Sequence, residues 1–283
     1  MYYLNDLPLQ RTLKLNSEDS GKSSGKEFVD DISVLSKAAT IPKLLIQVQN
    51  DYTKIHNYLV GHKMCINPDK SQLMVLMPPE DTSELNISIN SNIIKHQNEI
   101  KILGVTLSAN MKFDSHIWAG KSSMAKSLNG KIALIKTIKP FISQKALGQV
   151  AASLVNSSIL YAAPIWGATT QANIQKIQSL QIRAARLVKN NSWQRTKKKQ
   201  HRQELLNELN WPNTSQIIYS ASLNLAKKAV TNSSSASLNK VFKVSKPNKA
   251  RSQPVITTKE KTQNLETYSH LTHHTCSIAY LMS

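Results

Sequence analysis

The spacing of apolar residues changes period once along this chain, near residue 110, and that change divides what the chain can fold into. Up to that point most apolar groups come in short runs or alternate. "FVDDISVL" (28–35) reads as two short strands around a turn, with Phe28 and Val29 ending one and Ile32, Val34 and Leu35 in the other. "LMVLM" (73–77) reads as a buried strand stopped by Pro78 and Pro79, and Leu85, Ile87 and Ile89 alternate as a half-buried strand does. "EIKILGVTLS" (99–108) gives a further strand with Ile100, Ile102 and Gly104 near its centre. One helix interrupts them. Thr40 and Pro42 signal its start, Ile41, Leu44, Leu45, Val48, Tyr52, Ile55 and Leu59 keep helical spacing, and Gly61 ends it. Residues 9–27 are polar, carry Gly21 and Gly25, and read as a loop.

Beyond residue 110 the period is helical. Asp114 is placed to cap a helix carrying Ile117, Met124, Leu128, Ile132 and Ile135. Ser143 is placed to cap a second, with Leu147, Val150, Leu154 and Ile159. A third spans about 170–190 with Ile174, Ile177, Ala184 and Val188, and "RQELLNELNWP" and "SQIIYSASLNLAKKAV" continue the pattern. After Thr231, "NSSSASLNK" and "SKPNKARSQP" carry few large apolar groups. The expectation is an α+β region over 1–110, an all-helical region over 111–230, and a mostly disordered tail over 231–283.

Charge follows the same division. The chain has 36 Lys and Arg against 17 Asp and Glu, a formal charge of +19. From Ser115 to Gln203, 89 residues, there is no Asp or Glu, yet the stretch holds 15 cations. They are Lys121, Lys126, Lys131, Lys136, Lys139, Lys145, Lys176, Arg183, Arg186, Lys189, Arg195, Lys197, Lys198, Lys199 and Arg202. A solvated helix face usually mixes signs, so a one-signed stretch of this length favours an anionic partner, nucleic acid first. No apolar run has the ~18 residues a membrane span needs. "MYYLNDLPLQRTLKL" lacks a clean apolar segment and a cleavage site, so an intracellular location, nucleus or cytoplasm, is expected. With only Cys65 and Cys276, no disulfide framework or cysteine zinc site is suggested. "HLTHHTC", with His270, His273, His274 and Cys276, reads as a chance His-rich tail because no second cysteine or paired knuckle stands near it.

The adjacent carboxylates Asp30 and Asp31 then need a reason. Asp is common in turns, where its side chain bonds the nearby backbone, and that is the plain reading. A divalent-metal site is the sharper one. Several stretches decide by their order: "YLNDLP" (3–8), "FVDD" (28–31), "INPDKSQLMVL" (66–76), "IKILGVTLS" (100–108), "ILYAAPIWG" (159–167), "IQKIQSLQIRAARLV" (174–188) and "ELNWP" (208–212). In this succession, over residues 1–230, the chain resembles the reverse transcriptase of non-LTR, jockey-like retrotransposons. The resemblance implies the end of a palm followed by a helical thumb and its extension. It implies RNA-templated DNA synthesis, with an RNA template and a DNA primer as partners and Mg²⁺ as cofactor.

In that family the Asp-Asp turn is the tip of a palm hairpin whose carboxylates help bind two metals. Asp30 would be the direct ligand and Asp31 its support, since hard oxygen ligands suit Mg²⁺. Lys70 of "NPDKSQ" falls on a lysine near the incoming triphosphate, and reads equally as a strand-edge lysine. Leu103 and Gly104 of "ILGV" fall on the primer-grip hairpin and would support the primer end, Gly104 reading also as a strand bend. Arg183 and Arg186 lie three apart on one helical face, and "RTKKKQHR" (195–202) is a separate dense patch. With Lys189 these residues would hold the nucleic-acid backbone. Trp166, Trp193 and Trp211 read as core or cap residues before base-stacking ones.

The family's fingers, most of its palm and its first catalytic aspartate precede "YLNDLP". Asp6 and Asp19 are poor substitutes for that aspartate, because no strand pattern carries them. Met1 resembles an internal methionine of a longer frame, and polar "SEDSGKSSGKE" (17–27) stands where an apolar strand is expected before "FVDD". The expectation is a truncated polymerase, inactive alone, with a nucleic-acid-binding remnant as the alternative.

Overall fold

The computed structural model describes residues 22–28, 31–89, 92–189, 199–231, 242–245, 255–258 and 276–282, with side chains for 31–89, 92–189 and 202–231. The chain divides into two compact units, one of residues 1–112 with 265–283 and one of residues 113–264. Among the described residues the first is mostly strands with one long helix and the second mostly helices with one two-stranded ribbon, an α+β composition.

The first unit is built on a four-stranded sheet of order β1-β2-β10-β3. Its strands are β1 (Lys22–Phe28), β2 (Asp31–Ala38), β3 (Gln72–Leu76) and β10 (Cys276–Met282). β10 runs antiparallel to both β2 and β3. Along β2, Ile32, Val34, Ser36 and Ala38 are buried on one face. Helix α1 (Ile41–Gly61) lays Leu44, Val48, Tyr52, Ile55 and Leu59 on that face, with Leu73 and Val75 of β3 in the same core. Pro42 opens the helix, but the Thr40 hydroxyl makes no capping bond. The buried carboxylate of Asp51 accepts from Ser36 Oγ at 3.1 Å and from Gln47 Nε2 at 3.0 and 3.2 Å.

The other side of β3 explains its continuous apolar run. Met74 points away from α1 into a second cluster with Ile100 and Ala109, so both faces of the strand are covered. Two ribbons complete the unit: β4 (Asn86–Ile89) with β5 (Asn92–Lys95), and β6 (Glu99–Ile102) with β7 (Val105–Ser108). The segment 99–108, one strand by its local pattern and a hairpin by the resemblance, is a hairpin. Leu103 (φ 46°) and Gly104 (φ 81°) form its two-residue turn, both left-handed as a turn matched to the twist of a hairpin requires.

A second difference is β1. Its polar sequence "KSSGKEF" pairs along its whole length with β2, where a loop was expected. It is an edge strand, held by backbone hydrogen bonds that need no apolar side chain, and a polar edge is the usual arrangement.

The helical unit begins with a π-type turn, Ser115–Ala119, rather than a helix capped by Asp114. Gly120 interrupts the helical path, and α2 starts only at Met124 (Met124–Ile138). A Cβ at 120 would stand 2.4 Å from Ser115 O, so only glycine closes this turn. Then follow α3 (Gln144–Leu160), α4 (Ala163–Trp166), α5 (Gln171–Lys189), α6 (Lys199–Glu208) and α7 (Thr214–Val230). Ser143 caps α3 as expected, accepting from Ala146 N at 3.3 Å, and Asn213 with Gln216 forms a reciprocal capping box on α7. Gly167 permits close packing after α4, since a Cβ there would meet Ala163 O and Ile218 Cγ2, each at 2.5 Å. β8 (Phe242–Ser245) pairs with β9 (Val255–Thr258). These two strands and β10 lie in the stretch expected to be mostly disordered. Each is a run of strand-forming residues, "FKVS", "VITT" and "CSIAYLM", set between the polar segments that dominate its composition.

Among the described residues no helix is long and apolar enough to cross a membrane, and no three metal-ligating side chains are grouped.

Candidate functional site

At the start of β2, Asp31 pairs with Phe28 of β1 across the ladder and is partly buried; Asp30 lies outside the described residues. β10 gives the next step. Ser33 of β2 and Gln72 of β3 both pair with Leu281, so β2 and β3 begin at the same end of the sheet, one strand apart. At the usual strand spacing that is about 10 Å. Lys70 closes the 3-10 turn Pro68–Lys70 immediately before β3 and is exposed at that same end. The turn is held by Asn67, whose Oδ1 accepts from Asp69 N at 3.0 Å and whose carbonyl accepts from Ser71 Oγ at 2.8 Å. Asp31 and Lys70 thus flank one end of the sheet.

The strand beside β2 on the side away from β1 is β10, "CSIAYLM", which contains no Asp or Glu. A two-metal centre takes carboxylates from more than one strand to neutralise two divalent cations. Within its described residues β10 therefore brings no carboxylate to the end of the sheet where Asp31 stands.

Leu103 and Gly104 occupy the tip of the separate β6–β7 ribbon, with Leu103 45% exposed. A left-handed backbone costs a Leu roughly 1–2 kcal/mol and a glycine almost nothing. Leu103→Asn is therefore expected to stabilise the first unit by about 0.5–1 kcal/mol and Gly104→Ala to destabilise it by about 1 kcal/mol. Urea titration followed by far-UV circular dichroism checks both. Opposite signs would contradict the turn geometry.

In the helical unit, α5 carries Arg183, exposed, and Arg186, half-buried, on one face. Two of the cations there have partners within the unit. Lys189 Nζ lies 3.0 Å from Glu208 Oε2, and Lys131 donates to Ser158 Oγ. Arg202 of α6 is exposed; the backbone of Lys199 begins that helix; Arg195, Lys197 and Lys198 lie outside the described residues. Exposed Lys121, Lys126, Lys136, Lys145 and Lys176 add to the positive surface.

A buried hydrogen-bond network holds the motif-bearing stretches of this unit together. Gln181, fully buried on α5, donates through Nε2 to Asn156 Oδ1 and to Pro212 O, both at 2.8 Å. Its Oε1 accepts from Gln178 Nε2 at 3.0 Å and from Thr214 Oγ1 at 3.3 Å. One side chain thereby joins α3, the "IQKIQSLQIRAARLV" helix and the end of "ELNWP". Trp166 and Trp211 are buried, in keeping with a core role, and Trp193 lies outside the described residues. The aromatic that sequence reasoning passed over is Trp118. It is 47% exposed, with Lys176 Nζ 5.2 Å from its ring centroid. Such an exposed cation–π pair is worth about 0.5–1 kcal/mol. The place of Trp118 beside Ile117 but off the stripe of Ile117, Met124 and Leu128 is the signal that could have found it.

With this geometry in place, comparison with known proteins adds a lineage. Over 169 residues, 59% of the chain, the sequence is 22% identical to the "RNA-directed DNA polymerase from mobile element jockey" of Drosophila melanogaster. The enzyme of the same description from Drosophila funebris is 22% identical over 170 residues. The chain is a distant relative of these polymerases. It spans about 18% of the length of each. No family model and no solved structure matches it.

Proposed function

We propose that this chain is the palm end and thumb of an RNA-directed DNA polymerase of jockey type, and that by itself it holds nucleic acid without extending a primer. The observation that carries the reading is the similarity to the two jockey polymerases over 59% of the chain. Beside it stands a helical unit whose span from 115 to 203 has no acidic residue. Its exposed cations neutralise phosphates, and the Gln181 network keeps the helices that present them in one arrangement. In this reading Asp30 and Asp31 are the palm carboxylates, Lys70 meets the triphosphate and Leu103–Gly104 supports the primer end.

Holding is favoured over catalysis by β10. Two carboxylates on one hairpin, beside a strand without any, offer a divalent cation few ligands, so Mg²⁺ affinity should be weak, on the order of millimolar. The test is primer extension by the purified chain on primed RNA with Mg²⁺ and deoxynucleotides, alongside calorimetric titration of Mg²⁺. No extension and no micromolar binding are expected. Extension lost in Asp30→Ala, or tight binding lost in Asp30→Asn, would show a complete metal centre and overturn this part of the reading.

A further inference from the structure

We propose that Trp118 is a stacking platform for an unpaired nucleobase, with Lys176 and Arg183 taking the neighbouring phosphates; this rests on the nucleic-acid reading above and deepens it to single strands. The turn that carries Trp118 is anchored from beneath: Ile117 is fully buried and His116 is 7% exposed, so the next residue faces outward. Its position against α5 is fixed by a bond from Asn173 Nδ2 to Asp114 Oδ1 at 2.6 Å, with Asn173 2% exposed. The turn itself closes by Gly120 N donating to Ser115 O at 2.9 Å. An indole half out of solvent at a rigid turn loses little entropy when a flat partner covers it.

The surroundings select that partner. Lys176 stands over the ring, and Ser179 and Arg183 follow on the same exposed face of α5, three and seven residues on. Cations beside an exposed aromatic face suit a ligand that offers a π surface and a phosphate together, and a nucleotide does. Stacking of a base on an aromatic is stronger than an exposed cation–π pair. An arriving base therefore displaces the Lys176 ammonium from the indole and leaves it beside the backbone phosphate. In a duplex both faces of each base are already covered, so the stacking discriminates in favour of unpaired strands.

The experiment measures binding of the full chain to fluorescein-labelled oligothymidylate, to a hairpin duplex of equal length and to polyglutamate, by anisotropy. Wild type, Trp118→Ala and Trp118→Phe are compared, with thermal midpoints as a fold control. Trp118→Ala should weaken single-strand binding about tenfold and duplex binding less than about twofold, with an unchanged salt slope. Trp118→Phe should recover most of the loss. An equal loss on both ligands, no loss on the single strand, or no recovery by Phe would overturn the stacking site while leaving backbone binding in place. Wild type that binds neither nucleic acid, or binds polyglutamate as tightly, would overturn the nucleic-acid reading itself.

Discussion

Raising salt from about 50 to about 200 mM is expected to weaken duplex binding by this chain several hundred-fold, whatever the sequence. Each phosphate neutralised by Lys or Arg releases condensed counterions, and the slope of log affinity against log salt is about −0.9 per neutralised phosphate. Of the 15 cations between 115 and 203, Lys189 pairs with Glu208 and Lys131 with Ser158, while Lys126, Lys136, Lys145, Lys176, Arg183, Arg186, Lys199 and Arg202 are spread over α2, α3, α5 and α6. About 5 phosphates met at once are a reasonable number for one face, giving a slope of roughly −4 to −5. Replacing Lys197, Lys198 and Lys199 together by alanine should lower affinity for every sequence and flatten the slope by about 1 for each phosphate that is no longer neutralised. Filter binding at several salt concentrations checks both. A salt-independent affinity, or a triple variant indistinguishable from wild type, would remove the basic stretch as the binding surface.

Gln181→Ala should be the most damaging polar substitution in the hydrogen-bond network of the helical unit. Gln181 is fully buried and takes part in four hydrogen bonds that connect α3, α5 and the start of α7. Its removal leaves the buried Thr214 hydroxyl and the partly buried Asn156 carboxamide short of a partner, and a stranded buried polar group costs about 1–3 kcal/mol. Partial entry of water reduces the total, which we place at about 3 kcal/mol, a fall in thermal midpoint of roughly 10 °C for a unit of this size. Differential scanning calorimetry reads it, with exposed Ser179→Ala as a control expected to stay within about 0.5 kcal/mol. A fall of less than about 2 °C would mean that the network does not hold the helices.

Much of this fold is legible in the residues, for identifiable reasons. Helix α1 is marked by its proline, its apolar spacing and its glycine, and Ser143 sits where a helix start is found. The "LMVL" run reads as a doubly covered strand because no polar residue interrupts it. What the residues do not disclose depends on partners distant in sequence. β1 is polar and becomes a strand only because β2 lies beside it. β10 enters between β2 and β3 from the far end of the chain, which no local pattern announces. The turn at Leu103–Gly104 is hidden because leucine seldom adopts a left-handed backbone. The cationic surface is plain from composition, whereas the Lys176 ammonium over Trp118 follows only from the packing of the Ser115–Ala119 turn against α5. That Asp31 and Lys70 share one end of the sheet follows only from the β10 registers.

The central claim is that the helical unit, not the sheet unit, meets the phosphate backbone. Lysine acetylation of the full chain, with and without primed duplex, tests it most directly, each site quantified by mass spectrometry. The account predicts strong protection of Lys176, Lys197, Lys198 and Lys199. Lys43, Lys54 and Lys63 on and just after α1 should react equally in both samples. Protection confined to Lys43, Lys54 and Lys63, or no protection at a concentration where the duplex is bound, would contradict it.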